Sequence, residues 1–312
     1  MVVRALNYTL DSSRPDGAPG EGTIRRGTIL GRKGRMLVRL AAGAREIEAA
    51  QALRYKVFYE ELDARPSAEM LANRRDADEF DDICDHLLVM TPPGESGETS
   101  PIMVDDGEVV GTYRLLRQEV AQRNGGFYSA DEFDIDTLLK TKGDKLRFLE
   151  LGRSCVLESF RTKLVIELLW QGIWNYVQAH SVDVMLGCAS LEGTDPEALA
   201  LPLSFLHHVH RAPDEWRVRA VPERYVEMGL LPVEEIDERE AMRTLPPLIK
   251  GYVRAGAYIG EGAVVDHQFN TTDVLIVLPV TAISARYVSH FAGSDDARDK
   301  APEASGEPTP QP

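Results

Sequence analysis

The amino-acid sequence predicts a mixed α/β domain, with helices on both faces of one sheet. Short apolar runs at 86–90 (HLLVM), 182–190 (VDVMLGCAS) and 273–280 (DVLIVLPV) have the length of buried strands. Residues 163–180 place Ile166, Leu169, Trp170, Ile173 and Val177 at helical spacing, the apolar stripe of a helix packed on one side. The order of the segments is strand, helix, several strands, then strand, helix, strand, helix, strand, which is the order of a mixed α/β sheet.

The elements follow in sequence. Residues 1–23 and 293–312 are rich in Gly, Pro, Ser and charge and are expected to be disordered tails. Between them the pattern predicts a first strand at 36–40 and a helix over 44–62. In that helix Ile47, Ala50 and Val57 have helical spacing, and Arg54 and Phe58 lie one turn apart on a shared face. Strands are expected at 86–90 and 109–117, separated by a Pro/Gly-rich loop, with 119–145 as an inserted excursion. Then come a strand at 148–157, the helix at 163–180, a strand at 182–190, a helix within 196–210, a strand at 215–221, a helix within 245–259 and a final strand pair at 262–266 and 273–280. The expectation is one domain over 24–292, with insertions at about 119–145 and 195–245.

Composition narrows the function classes. With 312 residues and 43% hydrophobic content the chain can bury a sizeable core, and no run approaches the length of a membrane span. The start lacks the charged-then-apolar layout of a signal peptide, so a cytoplasmic protein is expected. Cys84, Cys155 and Cys188 are isolated, which argues against a zinc site or a disulfide framework. A net charge of −15 opposes nucleic-acid binding. Between Glu21 and Glu46, however, Arg25, Arg26, Arg32, Lys33, Arg35, Arg39 and Arg45 stand without an acidic neighbour. This stretch reads either as a docking face for an anionic partner or as a solvated, partly disordered arm, and composition leans towards the arm.

The run 148–157 (FLELGRSCVL) carries Glu150 and Arg153 inside an apolar strand, where isolated charges are costly. Three positions apart, they point to opposite faces of a regular strand, but a bulge at Gly152 would bring both into one cleft. The competing reading is a buried ion pair that sets strand register. Other charges repeat the pattern: Arg54 on the first helix, Arg114 within 109–117, and the acidic run Asp76, Asp78, Glu79, Asp81, Asp82 and Asp85 ahead of a strand. After Leu157, ESFRTK leads into a helix, and a helix N-terminus with Arg161 and Lys163 beside it suits a phosphate. Tyr252, four residues before Gly256, is ordinarily a packing residue and becomes a candidate only if the fold offers it a thiol to protonate.

These features resemble the GNAT superfamily of N-acyltransferases, whose fold has a bulged central strand, a pyrophosphate-gripping loop before the next helix and often a tyrosine that protonates the departing thiolate. The usual Arg-x-x-Gly-x-Gly/Ala loop is absent, with ESFRTK in its place. LRYKVF, DEFD, YRLL and ELGR resemble segments of the acyl-homoserine lactone synthases, supplying Arg54 and Phe58, Asp78 and Asp81, Arg114, and Glu150 and Arg153; the tryptophan expected after the first helix is missing, with Asp63 and Ala64 near its place. Longer blocks, GCASLEGTDPEALALPLSFLHHVH, APDEWRVRAVPERYVEM and PPLIKGYVRAGAYIGEGAVVDHQFNTTDVLIVLPV, are similar to the ornithine-lipid N-acyltransferases from about residue 35 to 290.

That resemblance implies transfer of a 3-hydroxyacyl chain from acyl carrier protein to the α-amine of L-ornithine, with the carrier thioester as co-substrate and no cofactor or metal. Glu150 is the expected base, Arg153 the group that steadies a carboxylate, and Tyr252 the thiolate's proton donor. Arg54, Phe58 and Arg114 are expected around the substrate, with Asp78 and Asp81 holding the side-chain ammonium. Arg32, Lys33, Arg35, Arg161 and Lys163 are expected to meet the acidic carrier and its phosphopantetheine phosphate. A lipid product makes peripheral contact with the inner membrane leaflet an expectation.

Other readings stay open. A Cys155 or Cys188 nucleophile lacks an adjacent histidine. His207, His208 and His210 do not face one point as metal ligands, His267 is an alternative base, and His290 with Asp295 forms an H-x-x-x-x-D pattern against the tail. The acceptor could be glycine, lysine or adenosylmethionine, or the chain a non-catalytic carrier- or lipid-binding module.

Overall fold

A computed structural model describes residues 24–93, 102–104 and 107–283; both expected tails and the His290–Asp295 pattern lie outside the described residues. The basic stretch is not an arm but a hairpin. Strands β1 (Ile29–Lys33) and β2 (Met36–Leu40) pair antiparallel, with Gly34 in the turn at a φ of 61° that favours glycine. Leu30, Val38 and Leu40 are buried while Arg32, Lys33 and Arg35 stay exposed at the tip. Alternation along a strand lets an arginine-rich segment join the core with half its residues, which a count of charges does not register. Arg39, although buried, is held by both carboxylate oxygens of Glu46 at 2.6 Å.

Helix α1 (Ala44–Tyr55) continues into a widened π-type turn at Lys56–Glu61 and is followed by the short α2 (Ala68–Asn73). Strands β3 (Asp85–Thr91), β4 (Met103–Val104) and β5 (Gly107–Arg117) extend the sheet. The excursion consists of α3 (Gln118–Ala121), a 3-10 turn at Tyr128–Asp131 and α4 (Ile135–Lys142), before β6 (Phe148–Val156). Helix α5 (Lys163–Ala179), whose first turn is capped by Thr162 accepting from the Val165 N–H, leads to β7 (Val184–Glu192). The remainder is α6 (Ala200–Val209), β8 (Tyr225–Val226), α7 (Glu238–Thr244), α8 (Pro247–Ala255), β9 (Tyr258–Ile259), β10 (Ala263–Asp266) and β11 (Thr271–Pro279).

The strand expected at 215–221 does not form. That run is a 3-10 turn, Asp214–Trp216, followed by single bridges from Arg219 to Glu261 and from Ala220 to Phe133. Pro213 and Pro222 bracket it and cannot donate to a ladder.

The strands form one sheet in the order β1-β2-β3-β5-β6-β7-β11-β10-β8. Leu149 and Leu151 of β6 pack in the larger hydrophobic cluster with Leu168 and Leu169 of α5, whereas Phe148 packs in a second cluster with Phe127, Phe133 and Leu138 of the excursion. Helical segments therefore cover both faces, as the sequence predicts. Among the described strands only β6 and β7 run parallel, and their pairing spans just Phe148–Glu150 against Val184–Leu186. Beyond it the strands part. Gly187 marks the fork: a Cβ there would stand 2.2 Å from the Leu151 carbonyl oxygen, so only glycine fits without displacing the backbone. The resulting opening lies in the middle of the sheet, where β7 is held on its other side by nine residue pairs with β11.

Candidate active site

The bulge is present one residue from where it was expected. Pairing of β5 with β6 steps from Thr112–Cys155 to Arg114–Gly152, so Tyr113 faces two residues, Arg153 and Ser154. Arg153 itself takes the left-handed backbone, φ 49°, and open space surrounds the position a Cβ would take on Gly152. The shift brings Glu150 and Arg153 onto one cavity of about 460 Å³, which Phe58, Tyr128, Cys188 and Asp273 also line. A smaller cavity in the fork between β6 and β7 shares Gly152, Arg153 and Ser154 with it and reaches Gly187 and Tyr252.

Glu150 and Arg153 share the cleft without pairing, so the register-fixing ion pair is not formed. Glu150, 4% exposed, accepts hydrogen bonds from the backbone N–H groups of Tyr128 at 2.9 Å and Ser129 at 2.7 Å. It thereby ties the excursion's 3-10 turn to the sheet. Burial pushes the Glu150 carboxyl above its ordinary value, with the Ser129 and Tyr128 bonds and the Arg114 charge opposing. Arg153 turns to the acidic run: it donates to Asp78 at 3.3 Å and to the Tyr128 hydroxyl at 3.2 Å, and lies 3.4 Å from Asp76. Its guanidinium stacks over the rings of Tyr128 and Phe269.

The two acidic residues expected to receive an ammonium face elsewhere. Asp81 accepts from Arg54 at 2.7 Å and from Arg114 at 3.3 Å; burial raises its pKa, but those guanidiniums hold it well below the usual carboxylate range. Asp78 accepts from Arg114 at 2.5 Å as well as from Arg153, and caps its own 3-10 turn through the Phe80 N–H. Neither lines the cavity. Three guanidiniums already pair with Asp76, Asp78 and Asp81, which the sequence could not show because Arg54, Arg114 and Arg153 sit on three separate elements.

Arg54, fully buried, also bonds Asp76 at 2.7 Å, so it supports the site from behind rather than touching the cavity. The widening of the helix at Lys56 breaks the shared face expected for Arg54 and Phe58. Phe58 instead lines the cavity and meets Phe269 edge-on at 5.5 Å. Arg114 lines the cavity under the rings of Phe80 and Tyr128.

Tyr252 on α8 reaches the fork, where its hydroxyl lies 3.2 Å from that of Tyr113 and its ring meets Trp170 edge-on. Arg161 donates to the Val156 carbonyl at 3.1 Å and pairs with Glu61. Lys163 and Lys33 both converge on Glu167, which brings the tip of the β1–β2 hairpin beside the start of α5. Of the expected docking residues, Lys33 and Lys163 are thus neighbours across a long stretch of sequence.

Burial pushes the thiols of Cys155 and Cys188 up, leaving little thiolate for attack. His208 is bonded to the Leu231 carbonyl at 3.0 Å, and His267 is exposed in the β10–β11 turn, so neither faces the cavity. Sequence reasoning missed Tyr128, Glu132, Asp266 and Asp273. Glu132, Asp266 and Asp273 place carboxylate oxygens within 4.8 Å of one another at the cavity wall. Two of them had a faint signal, since Asp266 and Asp273 close a predicted hairpin whose strands are otherwise apolar.

Residues 53–171 match the family model described as an acetyltransferase (GNAT) domain. The chain is 54% identical over 294 residues to an L-ornithine N(alpha)-acyltransferase of Agrobacterium fabrum, covering 94% of this chain and 98% of that protein. It is 53% identical to one of Rhizobium meliloti, covering 88% and 90% of the two chains. Among solved structures, FeeM, an N-acyl amino acid synthase from uncultured soil microbes, aligns with a TM-score of 0.43 at 10% identity, covering 81% of this chain and 97% of that one.

Proposed function

The chain belongs to the L-ornithine N(alpha)-acyltransferase family and is an acyltransferase; from that premise we propose that it moves a 3-hydroxyacyl group from acyl carrier protein to the α-amine of L-ornithine, giving lyso-ornithine lipid. The observation that carries this reading is the continuity of the fork with the charged cavity, through the shared residues Gly152, Arg153 and Ser154. A thioester arm in the fork would present its carbonyl where an amine held in the cavity can attack.

In this reading Glu150 removes a proton from the α-ammonium, directly or through one water, and the free amine attacks the thioester carbon. The oxyanion that forms faces the bulge, where two residues oppose one and backbone N–H groups leave the ladder. Collapse forms the amide, breaks the carbon–sulfur bond and releases the pantetheine thiolate, which takes a proton from Tyr252 in the fork, while the second proton of the attacking nitrogen passes to solvent water, from which Tyr252 is reprotonated. Arg153, preset by Asp78, Tyr128 and Phe269, offers a planar fork to the substrate carboxylate. Arg32, Lys33 and Arg35 at the hairpin tip, with Arg161 and Lys163 at the start of α5, meet the acidic carrier and its phosphate. Among the described residues no helix is long and apolar enough to cross a membrane, and the lipid product is met through peripheral contact with the inner leaflet.

The test is release of free thiol from purified 3-hydroxyacyl carrier protein, with L-ornithine, lysine, glycine or adenosylmethionine offered separately. Ornithine-dependent release with a lyso-lipid product supports the reading. Release driven by another acceptor replaces the substrate, and carrier binding without release under any acceptor replaces the enzyme with a binding module.

A further inference from the structure

We propose that Glu132, Asp266 and Asp273 form the subsite that takes the side-chain ammonium of the amino-acid substrate. This rests on the reading of the acceptor as an amino acid with a second amine, and it moves that amine's partner away from Asp78 and Asp81.

The three carboxylates reach one point from separate parts of the fold. Glu132 ends the 3-10 turn anchored by Glu150, Asp266 ends β10, and Asp273 lies in β11 between Ser190 of β7 and Val264 of β10. Their oxygens lie within 4.8 Å of one another, although like charges at that range repel. The repulsion is poorly compensated. Arg224 approaches Glu132 at 3.1 Å from the rim, but Asp273, only 7% exposed, has an Oδ1 that accepts no hydrogen bond from any described residue. Burial raises the Asp273 carboxyl above its ordinary value, with hydrogen bonding by Thr271 and Ser190 opposing. A buried carboxylate oxygen without a donor is costly, and Asp273 is one of the residues lining the cavity that also holds Arg153. The electrostatics agree: burial and the Asp273 charge raise the Glu132 carboxyl to about 7.

The remaining acceptor capacity fits an ammonium better than a divalent metal ion. Glu132 already accepts the Cys188 thiol at 3.2 Å as well as facing Arg224, and Asp266 accepts the backbone N–H groups of Gln268 at 2.7 Å and Phe269 at 3.0 Å. An ammonium has three N–H donors, one for each carboxylate. A calcium or magnesium ion needs about six oxygens. With Arg153 on the α-carboxylate and this cluster on the side chain, a diamino acid would be held at both ends and its α-amine left towards Glu150 and the fork.

The experiment is calorimetric titration of the full chain with L-ornithine and with L-2-aminopentanoate, which lacks only the terminal amine, for the parent protein, Asp273→Asn and Asp266→Asn. The parent is expected to prefer L-ornithine, and Asp273→Asn to lose at least ~30-fold in L-ornithine affinity with little change for L-2-aminopentanoate. Asp266→Asn should move in the same direction. Both free variants should melt no lower than the parent, because removing one of three repelling charges relieves strain that a purely structural cluster would not show. An unchanged preference in a variant that melts normally overturns the proposal, as does a parent that does not bind L-ornithine. So does L-ornithine binding that disappears on chelation and returns with magnesium or calcium. Should Asp273→Asn fail to fold, Asp266→Asn and Glu132→Gln decide by the same ratio. Asp273-dependent L-ornithine binding in a protein that releases no thiol would sink the acyl-transfer reading and leave this subsite standing; thiol release with preference intact in Asp273→Asn would do the reverse.

Discussion

Glu150 has two tasks that one substitution separates poorly and a pH profile separates well. It holds the Tyr128 and Ser129 N–H groups, and it is the carboxylate proposed to accept the substrate's proton. Burial places its pKa above the ordinary carboxylate value, so kcat/KM should rise with pH until Glu150 is ionised and then level. Glu150→Gln is expected to lower kcat by about 100-fold or more and to erase that acidic limb. A purely structural role would instead raise KM and leave the limb in place. Glu132 makes a second pH prediction. Its folded pKa of about 7 lies above the ordinary 4.5, so the native state keeps a proton that the unfolded chain has released in that window. Stability should therefore fall as pH rises from 4.5 to about 7, and Glu132→Gln should flatten the decline, as thermal melts across the window would show.

Among the elements, α1 is fastened to the acidic run by Arg54. That fully buried side chain bonds Asp76 and Asp81, and the same run then orients Arg114 and Arg153. Arg54→Met keeps much of the volume but strands two buried carboxylates, and should cost about 3–5 kcal/mol in denaturant unfolding. Much of this was legible in the sequence. Glu150, Arg153, Arg54, Arg114 and Asp81 all stood out as charges where an apolar residue was expected, and all proved buried or lining one cavity. What did not show was who pairs with whom. The π-type turn at Lys56–Glu61 and the left-handed backbone at Arg153 have no residue signature, because both are imposed by packing against the sheet. Strand β2 was expected at 36–40, but its partner β1 was hidden for the opposite reason, local charge density outweighing a short apolar run.

At the scale of the whole molecule, a chain of net charge −15 carries a group of exposed basic residues at the hairpin tip beside the start of α5. If that corner docks an acidic carrier, the KM for acyl carrier protein should climb with ionic strength. Reversing Arg32, Lys33 and Arg35 to Glu should raise that KM about 10-fold while leaving kcat unchanged, measured by thiol release across a titration of the carrier up to saturation. The sequence by itself determined the mixed α/β class, most of the strands, the helix after the bulged strand and the set of buried charges, since hydrophobic period and misplaced charge are properties of neighbouring residues. Only the tertiary structure decided that Asp76, Asp78 and Asp81 are paired by Arg54, Arg114 and Arg153, and that Glu132, Asp266 and Asp273 remain crowded at the cavity wall. Charge compensation depends on distances of a few ångströms between residues far apart in the chain, and those distances exist only once the sheet has closed around the fork between β6 and β7.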